Sequence, residues 1–110
     1  MKKVAIIITI LIIMATQIKI NPIKKKSQIQ VLWKYTTEGP IASSPALCDI
    51  NNDGKLEVII GSADYNVYCL NGEDGTLLWK YTTKSCVSSS PSLGDVDGDG
   101  KLEVIIGSWD

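Results

Sequence analysis

Two stretches of the chain place oxygen-bearing side chains at alternate positions around a glycine. Residues 49–62 read DINNDGKLEVIIGS and residues 95–108 read DVDGDGKLEVIIGS. In the first, Asp49, Asn51, Asp53 and Glu57 occupy loop positions 1, 3, 5 and 9, with Gly54 at position 6. In the second, Asp95, Asp97, Asp99 and Glu103 occupy the same positions, with Gly100 at position 6. Alternating donors on a tight turn converge on one point. Glycine lets the turn curl around that point, because it takes positive φ without a Cβ clash. The backbone carbonyls of Lys55 and Lys101, at position 7, complete such a donor set. Hard oxygen donors in this number and charge suit Ca²⁺, and Mg²⁺ less well. A helix–loop–helix calcium site needs glutamate at position 12, where Ile60 and Ile106 stand. The flanks also read as strands, so the loops are not of that type. A plain β-turn with solvated acids explains the Asp-Gly pairs, but not the alternation or the glutamate four residues on. The expected role of the ion is structural. It neutralises carboxylates that would otherwise repel and pins the hairpin that carries them.

The elements that position these loops repeat with them. Aligned at a shift of 46, Trp33–Asp64 and Trp79–Asp110 share 21 of 32 positions without a gap. WKYTT, SSP and GKLEVIIGS all recur. A period in the forties points to a solenoid, an array or a propeller. Four short apolar runs fill one period: Pro45–Ile50, Lys55–Ser62, Asn66–Leu70 and Thr76–Thr83. Asn52-Asp53-Gly54, Ala63-Asp64-Tyr65 and Asn71-Gly72-Glu73-Asp74-Gly75 punctuate them as turns. Beyond the N-terminus no segment keeps a helical period. Four strands per repeat fit a propeller blade, and runs apolar on both faces fit sheets packed between neighbours. The expected fold is all-β: an incomplete β-propeller, with one four-stranded blade plus parts of two neighbours, behind an N-terminal hydrophobic helix. Fewer than two blades cannot close a ring of about 4 to 8. The expectation is therefore a fragment of a longer protein, with a multichain assembly and an open stack of sheets as alternatives.

The segment Ala63–Trp79 resembles the repeat of quinoprotein-like (PQQ-type) β-propellers at Ala63, Asp64, Val67-Tyr68, Leu70, Gly75 and Trp79. It departs from that repeat at Cys69, Asn71 and Asp74, where the family favours alanine, aspartate and threonine. The resemblance implies that Trp33 and Trp79 dock one blade on the next. The acidic loops resemble FG-GAP or integrin-α-type repeats, which are also propeller elements, and this likeness implies calcium at the ninth-position carboxylate. Together the resemblances span Val31–Asp110.

Composition narrows the function. The chain has 110 residues and no histidine, which removes Ser-His-Asp and Cys-His catalysis and the common zinc sites. It has no arginine, the usual bidentate clamp on phosphate. All twelve acids follow residue 26 and meet five lysines there, so the body is acidic and unsuited to nucleic acid. Three cysteines, Cys48, Cys69 and Cys86, form no CxxC and read as small buried hydrophobes. The serines of Ser85–Ser92 lack a nucleophile context and read as loop hydrogen-bonding groups. Tyr35, Tyr65, Tyr68 and Tyr81 read as strand packing rather than a ligand groove. The first 26 residues hold six lysines and no acid. There Lys2-Lys3 precede the apolar run Val4–Ala15, a pattern for a signal peptide. A buried Ile-rich strand or helix is the other reading.

Residues 1–26 are thus expected to be a signal peptide or membrane anchor with a basic linker, and 27–110 the repeat region. The expected protein is a non-catalytic, calcium-stabilised module, exported to the exterior or the cell surface. Any anchoring falls to residues 4–20, which form its one contact with membrane. Its expected partners are other blades or chains, or protein or glycan ligands, in adhesion or assembly. The alternative is part of a PQQ-dependent dehydrogenase.

Overall fold

The computed structural model describes residues 2–9 and 29–110. The described residues form eight strands and no helix. The centre is a four-stranded antiparallel meander in the order β3 (Ala46–Cys48), β4 (Glu57–Gly61), β5 (Asn66–Asn71) and β6 (Leu77–Thr82). Its strands fall on the four apolar runs of the repeat, β5 reaching one residue past its run to Asn71. β7 (Ser92–Gly94) and β8 (Glu103–Ile105) form a second antiparallel pair. β1 (Lys2–Thr9) and β2 (Ile29–Thr37) form a parallel pair.

β4 is buried along its whole length, and β5 is buried from Asn66 to Leu70. Both are rich in β-branched and aromatic residues, which fit a pleated, packed surface. Their register sets Val58 beside Leu70, Ile59 beside Cys69 and Ile60 beside Tyr68. Alternation then sends Val58, Ile60, Tyr68 and Leu70 to one face. There they meet Trp33 of β2, with Ile7 and Tyr35 packed against the cluster. Cys48, Ile59, Val67 and Cys69 go to the other face and meet Val87, with Leu93, Val104 and Ile106 around them. A neighbouring pair of strands therefore covers each face.

Trp33 is 8% exposed. Its indole N–H donates to the Gly72 carbonyl at 2.8 Å, and its ring lies against the turn at Gly75. That residue has φ +72, and a Cβ there would stand 2.5 Å from the ring. The turn thus needs glycine for both its conformation and its neighbour.

Asp64 anchors the next turn. Its Oδ2 accepts the Tyr68 hydroxyl at 2.6 Å and the Glu38 amide at 3.0 Å. Its Oδ1 accepts the Asn66 amide and side-chain N–H. Burial pushes the Asp64 carboxyl up, but hydrogen bonds from Tyr68, Asn66, Ser62 and the Glu38 backbone outweigh it and hold the group below the ordinary carboxylate value. Burial and then the Asp64 carboxylate push the Tyr68 phenol up. The two rings Tyr35 and Tyr68 pack tilted, with centroids 5.5 Å apart. Tyr65 and Tyr81 are exposed.

The N-terminus departs from expectation. Instead of beginning a hydrophobic helix, Lys2–Thr9 is a strand paired with β2. The physical reason is its run of β-branched residues, which β2 supplies with a ladder partner and the central sheet with an apolar seat for Ile7. The remainder of the expected signal or anchor, residues 10–26, lies outside the described residues. Among the described residues no helix is long and apolar enough to cross a membrane.

Two measurements check this packing. Cys48 and Cys69 are buried; burial pushes both thiols up, that of Cys69 to about 12. Both should resist a thiol reagent in the native protein and react on unfolding, with Cys86 the faster of the three; rapid native labelling of Cys69 would contradict the packing. Asp64, depressed when folded, stabilises above the unfolded value of about 3.9, and that contribution is lost as pH falls through its lower folded value. The urea midpoint should therefore drop on acidification below about pH 4, and the drop should be shallower in Asp64→Asn.

Candidate metal centre

Each acidic loop joins two strands of one hairpin, β3 to β4 and β7 to β8. In the first, Asp49 accepts the Asp53 amide on Oδ1 at 3.0 Å and the Gly54 amide on Oδ2 at 2.8 Å. Asn51 Oδ1 accepts the Asp53 amide at 3.1 Å, and Asp53 Oδ1 accepts the Lys55 amide at 2.8 Å. The second loop repeats the pattern. Asp95 accepts the Asp99 and Gly100 amides at 3.1 and 2.8 Å. Asp97 accepts the Asp99 amide at 3.0 Å, and Asp99 accepts the Lys101 amide at 2.8 Å. The ninth-position glutamates reach back across the hairpin: Glu57 Oε2 accepts the Ile50 amide at 2.9 Å and Glu103 Oε2 the Val96 amide at 2.8 Å.

These bonds bring the expected residues together. Asp49, Asp53 and Glu57 each offer an oxygen within 4.8 Å of the others, and so do Asp95, Asp97, Asp99 and Glu103. Asn51 takes the place of Asp97 in the first loop. The Lys55 and Lys101 carbonyls lie one residue beyond glycines at φ +84 and +86. The Lys55 ammonium points elsewhere, to Glu73 at 2.7 Å.

Glu57 is 1% exposed, yet its neighbours in the loop are carboxylates. A buried carboxylate beside like charges is costly unless a cation or several donors compensate it. Among the described residues its hydrogen-bond donor is the single Ile50 amide. Several carboxylate oxygens around one point, one of them buried, fit a hard divalent cation. The ligands would be Asp49, Asn51, Asp53 and Glu57 in one loop and Asp95, Asp97, Asp99 and Glu103 in the other. A cleft of about 250 Å³ between the loops is lined by Asp49–Asn52 and Gly100–Leu102.

Three features escaped the spacing argument. Position 4 of each loop is also left-handed, at Asn52 (φ 62) and Gly98 (φ 80); the signal was there, since asparagine and glycine are the residues that tolerate this region best. Ser43 and Ser89 each clamp a glycine across their hairpins. Ser43 Oγ donates to the Gly61 carbonyl and accepts its amide at 2.8 and 3.0 Å, and Ser89 does so with Gly107 at 2.7 Å both ways. Asp110 repeats one role of Asp64, accepting the Lys84 amide at 3.0 Å. The recurrence of SSP and of the two aspartates was the visible trace.

A Cβ at residue 54 would meet nothing within 4 Å. Gly54→Ala therefore tests backbone conformation alone. It should cost about 1–2 kcal/mol, read as a lower urea midpoint, whereas a neutral result would deny the left-handed turn.

The profile of the FG-GAP-like repeat matches residues 32–106, from β2 through β8. No curated protein matches the chain. The chain belongs to the FG-GAP-like repeat family.

Proposed function

We propose that the protein is a non-catalytic repeat module whose central sheet is one blade of a β-propeller and whose acidic loops bind Ca²⁺ as structural ions. The observation that carries the proposal is the buried Glu57 carboxylate, held within 4.8 Å of Asp49 and Asp53 oxygens and repeated 46 residues on at Glu103. The family match supports a propeller-type repeat. Its outward role is binding, of protein or glycan partners in adhesion or assembly. Nothing favours the quinoprotein alternative, since the matched family is the other repeat type.

Calcium binds the folded loop and not the unfolded chain, so it raises stability by mass action, by about 2.7 kcal/mol at a hundredfold excess over Kd. Kd values of about 10⁻⁴–10⁻³ M are usual for extracellular calcium modules. Thermal melting of the chain should therefore move up by several degrees between EDTA and about 10 mM Ca²⁺, and less with Mg²⁺. Asp49→Ala combined with Asp95→Ala should abolish the shift. An unchanged melting curve at that concentration would sink the calcium assignment.

A further inference from the structure

The central sheet is flanked by two half-sheets, and these complement each other. β7–β8 corresponds to β3–β4 at the 46-residue shift, and β2 corresponds to β6. β1 then lies beside β2 where β5 lies beside β6, although β1 is parallel to its neighbour and β5 antiparallel. The correspondence extends to an irregularity. In β5–β6 the register runs from Leu77 to Trp79 and skips Leu78; in β1–β2 it runs from Val31 to Trp33 and skips Leu32, the residue 46 earlier. β1–β2 is thus an outer half-sheet and β7–β8 an inner one. Among the described residues β8 pairs only with β7, and β1 only with β2.

A groove of about 440 Å³ runs beside β8, between Val67, Trp79 and Tyr81 of the central sheet and Val104 and Ile106. It continues the core cluster to which Val67, Val104 and Ile106 already belong. Trp79 is 36% exposed, while its counterpart Trp33 is 8% exposed. Trp33 packs with Val58 and Ile60 of the inner half of the sheet that follows it, and with Tyr68, Leu70 and the 72–75 turn of its outer half; Val104 and Ile106 already supply the inner half for Trp79. What fits Trp79 is therefore the outer half of a sheet whose inner half is β7–β8.

We propose that this place is taken by β1–β2 of a second copy of the chain, giving a composite sheet in the order β7, β8, β1 and β2. β4 runs parallel to β6, since both are antiparallel to β5. β8 is therefore parallel to the incoming β2 and β1. Counting levels along the sheet through the repeat brings Val4 of the second copy level with Val104, and Ile6 level with Ile106, in a parallel pair where β4 and β5 form an antiparallel one. Lys3 of the second copy then falls beside Glu103, at the end of β8 that carries the acidic loop. Apolar residues meet apolar residues, and the basic end of the chain meets its acidic loop. Leu32 of the second copy, 42% exposed in the single chain, faces the groove. The contact is head-to-tail, so copies close into rings or extend into filaments. The inference rests on reading the central sheet as a repeating blade, and its apolar contacts do not require calcium.

The test is sedimentation velocity of the full 110-residue chain in EDTA, with intact mass to verify that residues 1–9 are present. Tyr81→Asp damages one surface and Leu32→Asp the other, and both residues are exposed in the single chain. The wild type should associate with rising concentration. Each variant alone should associate at least about tenfold more weakly, with circular dichroism and melting like the wild type. An equimolar mixture should give dimers that grow no further, because one intact surface of each kind remains. A monomeric wild type, variants that still associate, or a mixture that stays monomeric would each overturn the proposal. The calcium reading is decided separately, by the melting shift.

Discussion

The pairing of β4 with β5 is the constraint on which the rest depends. These two strands are apolar on both faces, so their sheet is stable only when something covers each side. A sheet with one wet face would need alternation of apolar and polar residues, and Val58, Ile59 and Ile60 run without a break. The Trp33 clamp on the 72–75 turn and the seating of Val87 under Ile59 and Cys69 are two ways of meeting that one demand. The polar groups that must enter this setting are all tied down. Asp64 takes up four donors, the Ser43 hydroxyl holds both polar groups of Gly61, and Glu57 is tied to Ile50.

The acidic loops sit where that constraint relaxes. They project from one end of each hairpin, and their exposed members hydrogen-bond to their own backbone. Only the glutamate at position 9 lies within the strand, which makes it the link between the loop and the core. In the first repeat Glu57 is buried, whereas in the second Glu103 is half-buried. The same nine residues GKLEVIIGS thus occupy two environments, and the difference comes from the number of strands beside them. β4 lies between two strands, while β8 has one neighbour among the described residues.

Much of this was legible in the residues. The four strands of the repeat fall where the apolar runs and turn dipeptides place them, because local chemistry fixes both. The convergence of Asp95, Asp97, Asp99 and Glu103 was legible from spacing alone, since alternate side chains on a tight turn share a side. The N-terminus was not. A run such as Val-Ala-Ile-Ile-Ile suits a leader, a helix or a strand alike, and the ladder partner of the strand lies more than twenty residues away, where a local pattern does not reach. That the loop serines hydrogen-bond was legible, but the choice of Gly61 by Ser43 was not, because a serine in a loop does not name its acceptor. The left-handed residues at position 4 were readable from their types, asparagine and glycine.

The Ser44 amide donates to Ser90 Oγ at 2.9 Å, and these two residues occupy the same place in successive repeats. A contact between equivalent positions carries its own complement. Whenever the coding segment is duplicated in tandem, the new unit arrives with both halves of the bond already present, and it can be added without any compensating substitution. Growth of such a protein by recombination is thereby cheap.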